Sequence, residues 1–274
     1  MSIPEPYPSL DEVLESIGEA GRRLAEIEAS EGAAGNISVC LGWPVEPRRK
    51  FPLEVEVSLP VPAPELAGRT LLVTGSGRRL RDIHRDPLAN LSALIVNPDG
   101  QTARQFTSPH KLFANMTSEF NSHLAVHRDQ VQRSGTNFHA VIHAQPPYLT
   151  FLSHIPRYRE QAYLNRRLLC WQPETIINLP EGVGVLPFMV PGSPELMQAN
   201  VESLRTHRIV VWSKHGVMAR SDISATRASD RIEYAETAAR YVYFNLQSGE
   251  AAEGLTVEEI QRICRTFNVQ QSIF

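Results

Sequence analysis

The strand-like segments of this chain follow one another too closely for helical crossovers, and that spacing limits the sheet it can build. TLLVTGSG (70–77) reads as a buried strand ending in glycines, with SALIVN (92–97) soon after it. Upstream, Ile37 and Val39 and the alternating EVEVSLPV (54–61) read as two more strands, separated only by a loop around Pro44 to Pro52. Parallel neighbours need a connection of about a dozen residues or more, so such pairs fit antiparallel pairing. AVIHA (140–144) and RIVVWS (208–213) add two further apolar strands.

Helical periodicity fills the intervals irregularly. Residues 9–30 open with Ser9 and Glu12 in capping-box spacing and place Leu10, Val13, Leu14, Ile17, Leu24 and Ile27 on one stripe. Ser118 can cap a helix over about 119–133, and Ser193 followed by Pro194 starts another. Residues 224–249 form the longest helical candidate, and Thr256 with Glu259 makes a second capping box before a short final helix. The stretch 150–180 reads as irregular, and Gly and Pro punctuate short strands in EGVGVLPFMVPG (181–192). The expectation is one domain over 1–274, α/β in class: a three-layer α/β/α arrangement around a mixed, mostly antiparallel sheet.

At 274 residues, 42% hydrophobic and 21% charged, the chain can bury a large core, which excludes disorder, collagen and coiled coil. Lys+Arg 27 against Asp+Glu 30 leaves a net charge of −3, so no broad positive field serves nucleic acid or a membrane surface. A small, partly anionic substrate held by local charge remains compatible. Cys40, Cys170 and Cys264 are widely spaced, with no CxxC, which points to a reducing compartment. No run approaches the roughly 18 apolar residues of a membrane-spanning helix. The start MSIPEPYPSLDEVLESIG is unlike a secretory signal, so the expected location is the cytoplasm.

Two glycine-rich turns could meet an anion. In TGSG (74–77), Gly75 and Gly77 would let backbone N–H groups converge while Ser76 adds a hydroxyl, and EGAAGN (31–36) could act alike. Neither carries the Lys-Ser/Thr pair of a phosphate loop or a dinucleotide fingerprint, so taken alone each is more often just a turn. His143 and Gln145 stand two apart on a strand and so emerge on one face, the way a strand offers two ligands to one metal. His215 ends another strand beside Gly216, and Glu119 opens a helix just after Ser118. Two imidazoles, a carboxylate and an amide oxygen could hold a divalent cation; the plainer alternative is satisfied core or surface histidines. His84, His110, His123, His127, His139, His154 and His207 take that plainer reading.

In this order, EGAAGNISV, LLVTGSGRRLRDIHRDPLANL, TSEFNSHLAVH, AVIHAQPPYLTFLS, LPEGVGVLPFMVPGSPE and IVVWSKHGV resemble the class II aldolase/adducin family across most of the chain. The resemblance implies a lyase that reversibly cleaves L-rhamnulose 1-phosphate, or a related ketose 1-phosphate, to dihydroxyacetone phosphate and an aldehyde. It implies a divalent metal, Zn²⁺ in such enzymes, as Lewis acid, with His143, Gln145 and His215 at the ligand positions. Carried across by motif, Glu119 is the general acid/base, while Gly35, Asn36, Ser76, Gly77 and Ser118 surround the substrate phosphate. Glu174, in QPET, matches a second glutamate that the family supplies from a neighbouring subunit of a homotetramer. The partner it implies is a small phosphorylated sugar, with no nucleic acid and no membrane.

Two positions depart from the family pattern. Its strand motif is His-x-His where this chain reads His143-Ala144-Gln145, and its glycine loop carries Asn where this chain has Ala33. The adducin head keeps this type of fold without a working metal site, so a non-catalytic relative is the second reading. A family aldolase or epimerase with another sugar substrate is the third.

Overall fold

The computed structural model describes residues 2–274 and shows one nine-stranded sheet in the order β2-β5-β4-β3-β1-β6-β9-β8-β7. In chain order the first five strands are β1 (Asn36–Leu41), β2 (Leu53–Ser58), β3 (Thr70–Thr74), β4 (Leu91–Val96) and β5 (Thr102–Thr107). The remaining four are β6 (Phe138–Ala144), β7 (Gly184–Leu186), β8 (Ile209–Trp212) and β9 (Gly216–Ser221). All neighbours pair antiparallel except β7 with β8, so the sheet is mixed and mostly antiparallel, as the strand spacing requires.

The longer helices are α1 (Leu10–Glu26), α4 (Phe120–Ser134), α6 (Gln161–Leu169), α8 (Pro194–Ser203), α9 (Ala225–Gln247) and α10 (Val257–Phe267). Short helices α2 (Leu80–Ile83), α3 (Pro87–Asn90), α5 (Pro147–Leu152) and α7 (Pro173–Asn178) join them. The capping boxes at Ser9–Glu12 and Thr256–Glu259 both form, and Ser193 and Ser224 cap α8 and α9 through their hydroxyls.

Strand alternation sorts the core into two sides. Ile37, Val39, Leu41, Ala140 and Ile142 pack with Leu14 and Ile17 of α1 and Ile232 and Ala235 of α9. The intervening Cys40 packs with Phe120 and Leu124 of α4, and Val141 with Ala125 and Val126 of α4 and Leu196 of α8. Successive residues of β1 and β6 therefore face opposite helical layers, which yields the α/β/α arrangement. The candidate site lies on the α4 side.

The structure corrects several local readings. Ser118 is not the cap of α4: Glu119 holds that position, without a side-chain capping bond, because its carboxylate is engaged elsewhere. The stretch 150–180 is mostly helical, because Pro147, Pro156 and Pro173 each stand at a helix start, where a missing N–H costs nothing. The GVGVLP segment supplies only the three-residue β7, while β5 and β9 form where the sequence signalled no strand.

Candidate metal centre

Pairing of β1 with β6 sets Asn36 opposite His143, so both side chains leave the sheet on the side that α4 covers. Glu119, at the N-terminus of α4, meets them there. Asn36 Nδ2 donates to Glu119 Oε2 at 2.8 Å, and His143 Nε2 lies 3.7 Å from the same oxygen. The tight turn between β8 and β9 brings in His215, whose ring centre is 4.9 Å from that of His143. One ligand atom each from Glu119, His143 and His215 lies within 4.8 Å of the others.

Hydrogen bonding fixes which nitrogen of His143 is available. Its Nδ1 lies 2.9 Å from the Val217 carbonyl, which can only accept, so Nδ1 carries the hydrogen and Nε2 offers its lone pair toward Glu119. His215 Nδ1 is buried and has no hydrogen-bond partner among the described residues. Burial holds the His215 imidazole below the usual histidine range, His143 pushes the same way, and the Glu119 carboxylate opposes them. An uncharged imidazole is the form that binds metal. An inward-facing lone pair, an unpartnered buried nitrogen and a carboxylate make a donor set that fits a divalent cation of the zinc type, with a coordination position left for substrate.

Gln145 lies one residue beyond β6, its backbone N–H donating to Ala29 O at 2.8 Å. A Cβ added to Gly216 would lie 3.1 Å from both Gln145 Cγ and His143 Cε1, and 2.4 Å from Ala144 O. Only glycine lets the β9 backbone come this close. Gly35, at φ +86°, is similarly confined, since a Cβ there would lie 2.9 Å from His143 O. That contact seats the 31–36 turn against the ligand strand.

The backbone of TGSG does not form the converging anion cradle expected of it. Gly75 N–H donates to Asn90 O and Ser76 N–H to Asn115 O, so two of the amides are already committed. The exposed Ser76 hydroxyl and Gly77 remain available for a ligand. Ser118 borders an open cleft of ≈ 550 Å³ that is also lined by Gln105, Asn115, Asn121 and Gly192. Glu174 is exposed in the first turn of α7, which packs on α9 and α10, and it is not part of the Glu119–His143–His215 cluster.

Three histidines given the plain reading are indeed buried, hydrogen-bonded core residues, and they lie on the same side of the sheet as the site. Glu119, His123 and His127 lie four residues apart down α4, and Asn36 with Ser38, and His143 with His139, share the facing sides of β1 and β6. Ser38 Oγ bonds His123 Nδ1 and His127 Nε2, both at 2.7 Å, and His127 Nδ1 bonds His139 Nδ1 at 2.7 Å. Burial, first of all, holds all three imidazoles well below their ordinary pKa, so the chain of bonds is uncharged. The four-residue spacing of Glu119, His123 and His127 was the available signal; it becomes meaningful only once Ser38 is known to lie opposite.

Comparison with known proteins agrees with this geometry. The sequence model of the family described as Class II Aldolase and Adducin N-terminal domain matches residues 15–243. Rhamnulose-1-phosphate aldolase of Bacteroides thetaiotaomicron is 29% identical over 274 residues, 98% of each chain. The rhamnulose-1-phosphate aldolase of Yersinia pestis (strain Pestoides F) is 31% identical over 242 residues, 87% of each chain. Among solved structures, a sugar-phosphate aldolase from Thermotoga maritima superposes with a TM-score of 0.74 at 28% identity, covering 88% of this chain and 97% of that one. The chain therefore belongs to the class II aldolase and adducin family, on its aldolase (lyase) side.

Proposed function

We propose that this protein is a metal-dependent aldolase that reversibly cleaves a ketose 1-phosphate, with L-rhamnulose 1-phosphate the leading candidate, to dihydroxyacetone phosphate and L-lactaldehyde. The observation that carries this reading is the convergence of Glu119, His143 and His215 with the His143 lone pair turned inward. Glu119, His143 and His215 would hold the cation, which supplies Lewis-acid stabilisation of the negative charge that develops as the carbon–carbon bond breaks. The curated relatives named rhamnulose-1-phosphate aldolase support this choice of substrate.

The rest of the reaction falls to the chain's own side chains. Asn36 ties down Oε2 of Glu119, which leaves Oε1 as the oxygen that takes and returns a proton. The hydroxyls of Ser76 and Ser118, with Asn36, Gly35 and Gly77, receive the substrate phosphate. Glu174 serves the site of a neighbouring subunit in a cytoplasmic homotetramer, which accounts for its exposed position away from the cluster. Gln145 supplies a neutral oxygen as the weakest ligand, and Zn²⁺ is the metal its imidazole neighbours favour.

A retro-aldol assay over a panel of ketose 1-phosphates, with Zn²⁺, Co²⁺ or Mn²⁺ added to metal-free protein, tests the reading. Metal-dependent release of dihydroxyacetone phosphate is expected, and no turnover with any metal and substrate would overturn it. Gln145→His should raise Zn²⁺ affinity by about 10-fold or more, because an imidazole is a better zinc ligand than a neutral amide oxygen. Competition against a chromophoric chelator measures that change; an unaltered affinity would remove position 145 from the ligand set.

A further inference from the structure

One large side chain touches both imidazoles of the centre without offering a donor atom to it. Trp212, the last residue of β8, is 2% exposed, and its indole stacks on His143 with ring centres 4.5 Å apart and planes 18° from parallel. The same indole is 5.2 Å from the His215 ring. Its Nε1–H donates to Asn200 Oδ1 at 2.5 Å. Asn200 is fully buried on α8, and its Nδ2 donates to Ser122 Oγ at 3.4 Å on α4, the helix that begins at Glu119. A continuous path of contacts thus runs from the carboxylate's helix to the face of the principal imidazole.

The contacts divide the orientation of His143 between two partners. The Nδ1 bond to Val217 O fixes one edge of the ring but leaves it able to swivel about that bond. A parallel indole removes this freedom and keeps Nε2 aimed at Glu119 and His215. Stacking also favours a loaded site over an empty one. An imidazole that donates its lone pair to a dication becomes electron-poor, and the face of an indole is electron-rich.

We propose that Trp212, held by Asn200, is a positioning residue that orients His143 and His215 toward a divalent cation, and that its fluorescence reports occupancy of the centre. The proposal rests on reading the Glu119–His143–His215 cluster as a metal site. The other two indoles lie elsewhere, Trp43 stacked on Tyr7 and Trp171 on Tyr241, so the signal can be assigned by difference.

The test uses metal-free full-length protein titrated with Zn²⁺, read by indole emission and by chelator competition, with Co²⁺ absorption reporting ligand geometry. Wild-type emission should change on Zn²⁺ binding, and that change should vanish in Trp212→Phe while binding persists. Trp212→Leu, with its fold checked by circular dichroism and thermal melting, should bind Zn²⁺ about 10–100-fold more weakly, the usual cost of losing a residue that orients a ligand. Should the Leu variant fail to fold, Trp212→Phe decides through its Co²⁺ spectrum, which should differ from wild type because the ring has lost its tether to Asn200. A folded Leu variant with wild-type affinity, or a Phe variant with an unaltered Co²⁺ spectrum, would overturn the positioning role and leave the metal site standing. A wild-type protein that binds no more Zn²⁺ than His143→Ala would overturn the metal reading itself, and this proposal with it.

Discussion

Glu119→Gln is expected to lower kcat by about 10²–10⁴-fold at saturating metal, the usual contribution of a positioned proton carrier. The substitution keeps nearly the same shape and retains an oxygen to accept the hydrogen bond from Asn36 Nδ2, so the α4 terminus should stay seated over β1. What is lost is the ionisable oxygen. Steady-state release of dihydroxyacetone phosphate, measured together with bound metal, separates the two roles open to this carboxylate. A large fall in kcat with metal still bound marks Glu119 as the acid/base. A loss that excess metal restores marks it as a ligand alone. Turnover within about 3-fold of wild type would remove it from the chemistry, since even a weak general acid contributes more.

The second large effect is a loss of stability in mild acid. His123, His127 and His139 are held uncharged in the folded state, chiefly by burial, with pKa values well below that of an unfolded histidine. The folded chain therefore binds fewer protons than the unfolded chain. The stability these residues permit is complete above about pH 6.5, the unfolded value, and is lost as the pH falls below it. Glu236 opposes them: burial pushes its carboxyl up to about 7, so it stays protonated in the fold where an unfolded glutamate is ionised. Three protons against one leaves a difference of about two, or roughly 3 kcal/mol lost per pH unit below 6. Against a typical total of about 5–15 kcal/mol, a loss of about 3 kcal/mol by pH 5 removes a large share of the stability of the metal-free protein. Urea melts at pH 7.5, 6.5 and 5.5 measure the slope, which should fall by about half in His139→Gln as the difference drops from two protons to one. A stability that does not change with pH over this range would mean the imidazoles are not held neutral.

Much of this arrangement could be read from residue order, and the parts that could not have physical reasons. The capping boxes at Ser9 and Thr256 are local devices whose partners lie three residues away, so sequence shows them directly. The sheet class followed from spacing alone, because short connections leave only antiparallel pairing. β5 was hidden because Arg104 and Gln105 break the apolar pattern, and β9 because it begins at Gly216 and carries Arg220. The helices of 150–180 were hidden by their prolines, which resemble breakers unless the first turn can be located.

At the site, Glu119, His143 and His215 were legible as residues but not as neighbours. Their meeting depends on the register that sets Asn36 opposite His143 and on the turn that returns His215 to the ligand strand. Trp212 and Ser38 gave no signal at all. An indole ending an apolar strand looks like core, and a serine in a buried strand has no visible purpose until His123 and His127 are known to lie across from it.

Crystals of the full chain grown with Zn²⁺, with data collected on both sides of the zinc absorption edge, test the central claim most directly. The account predicts one strong anomalous peak per chain, within coordination distance of the Glu119 carboxylate, His143 Nε2 and a ring nitrogen of His215. Solvent alone among those three side chains, with zinc in excess, would contradict it.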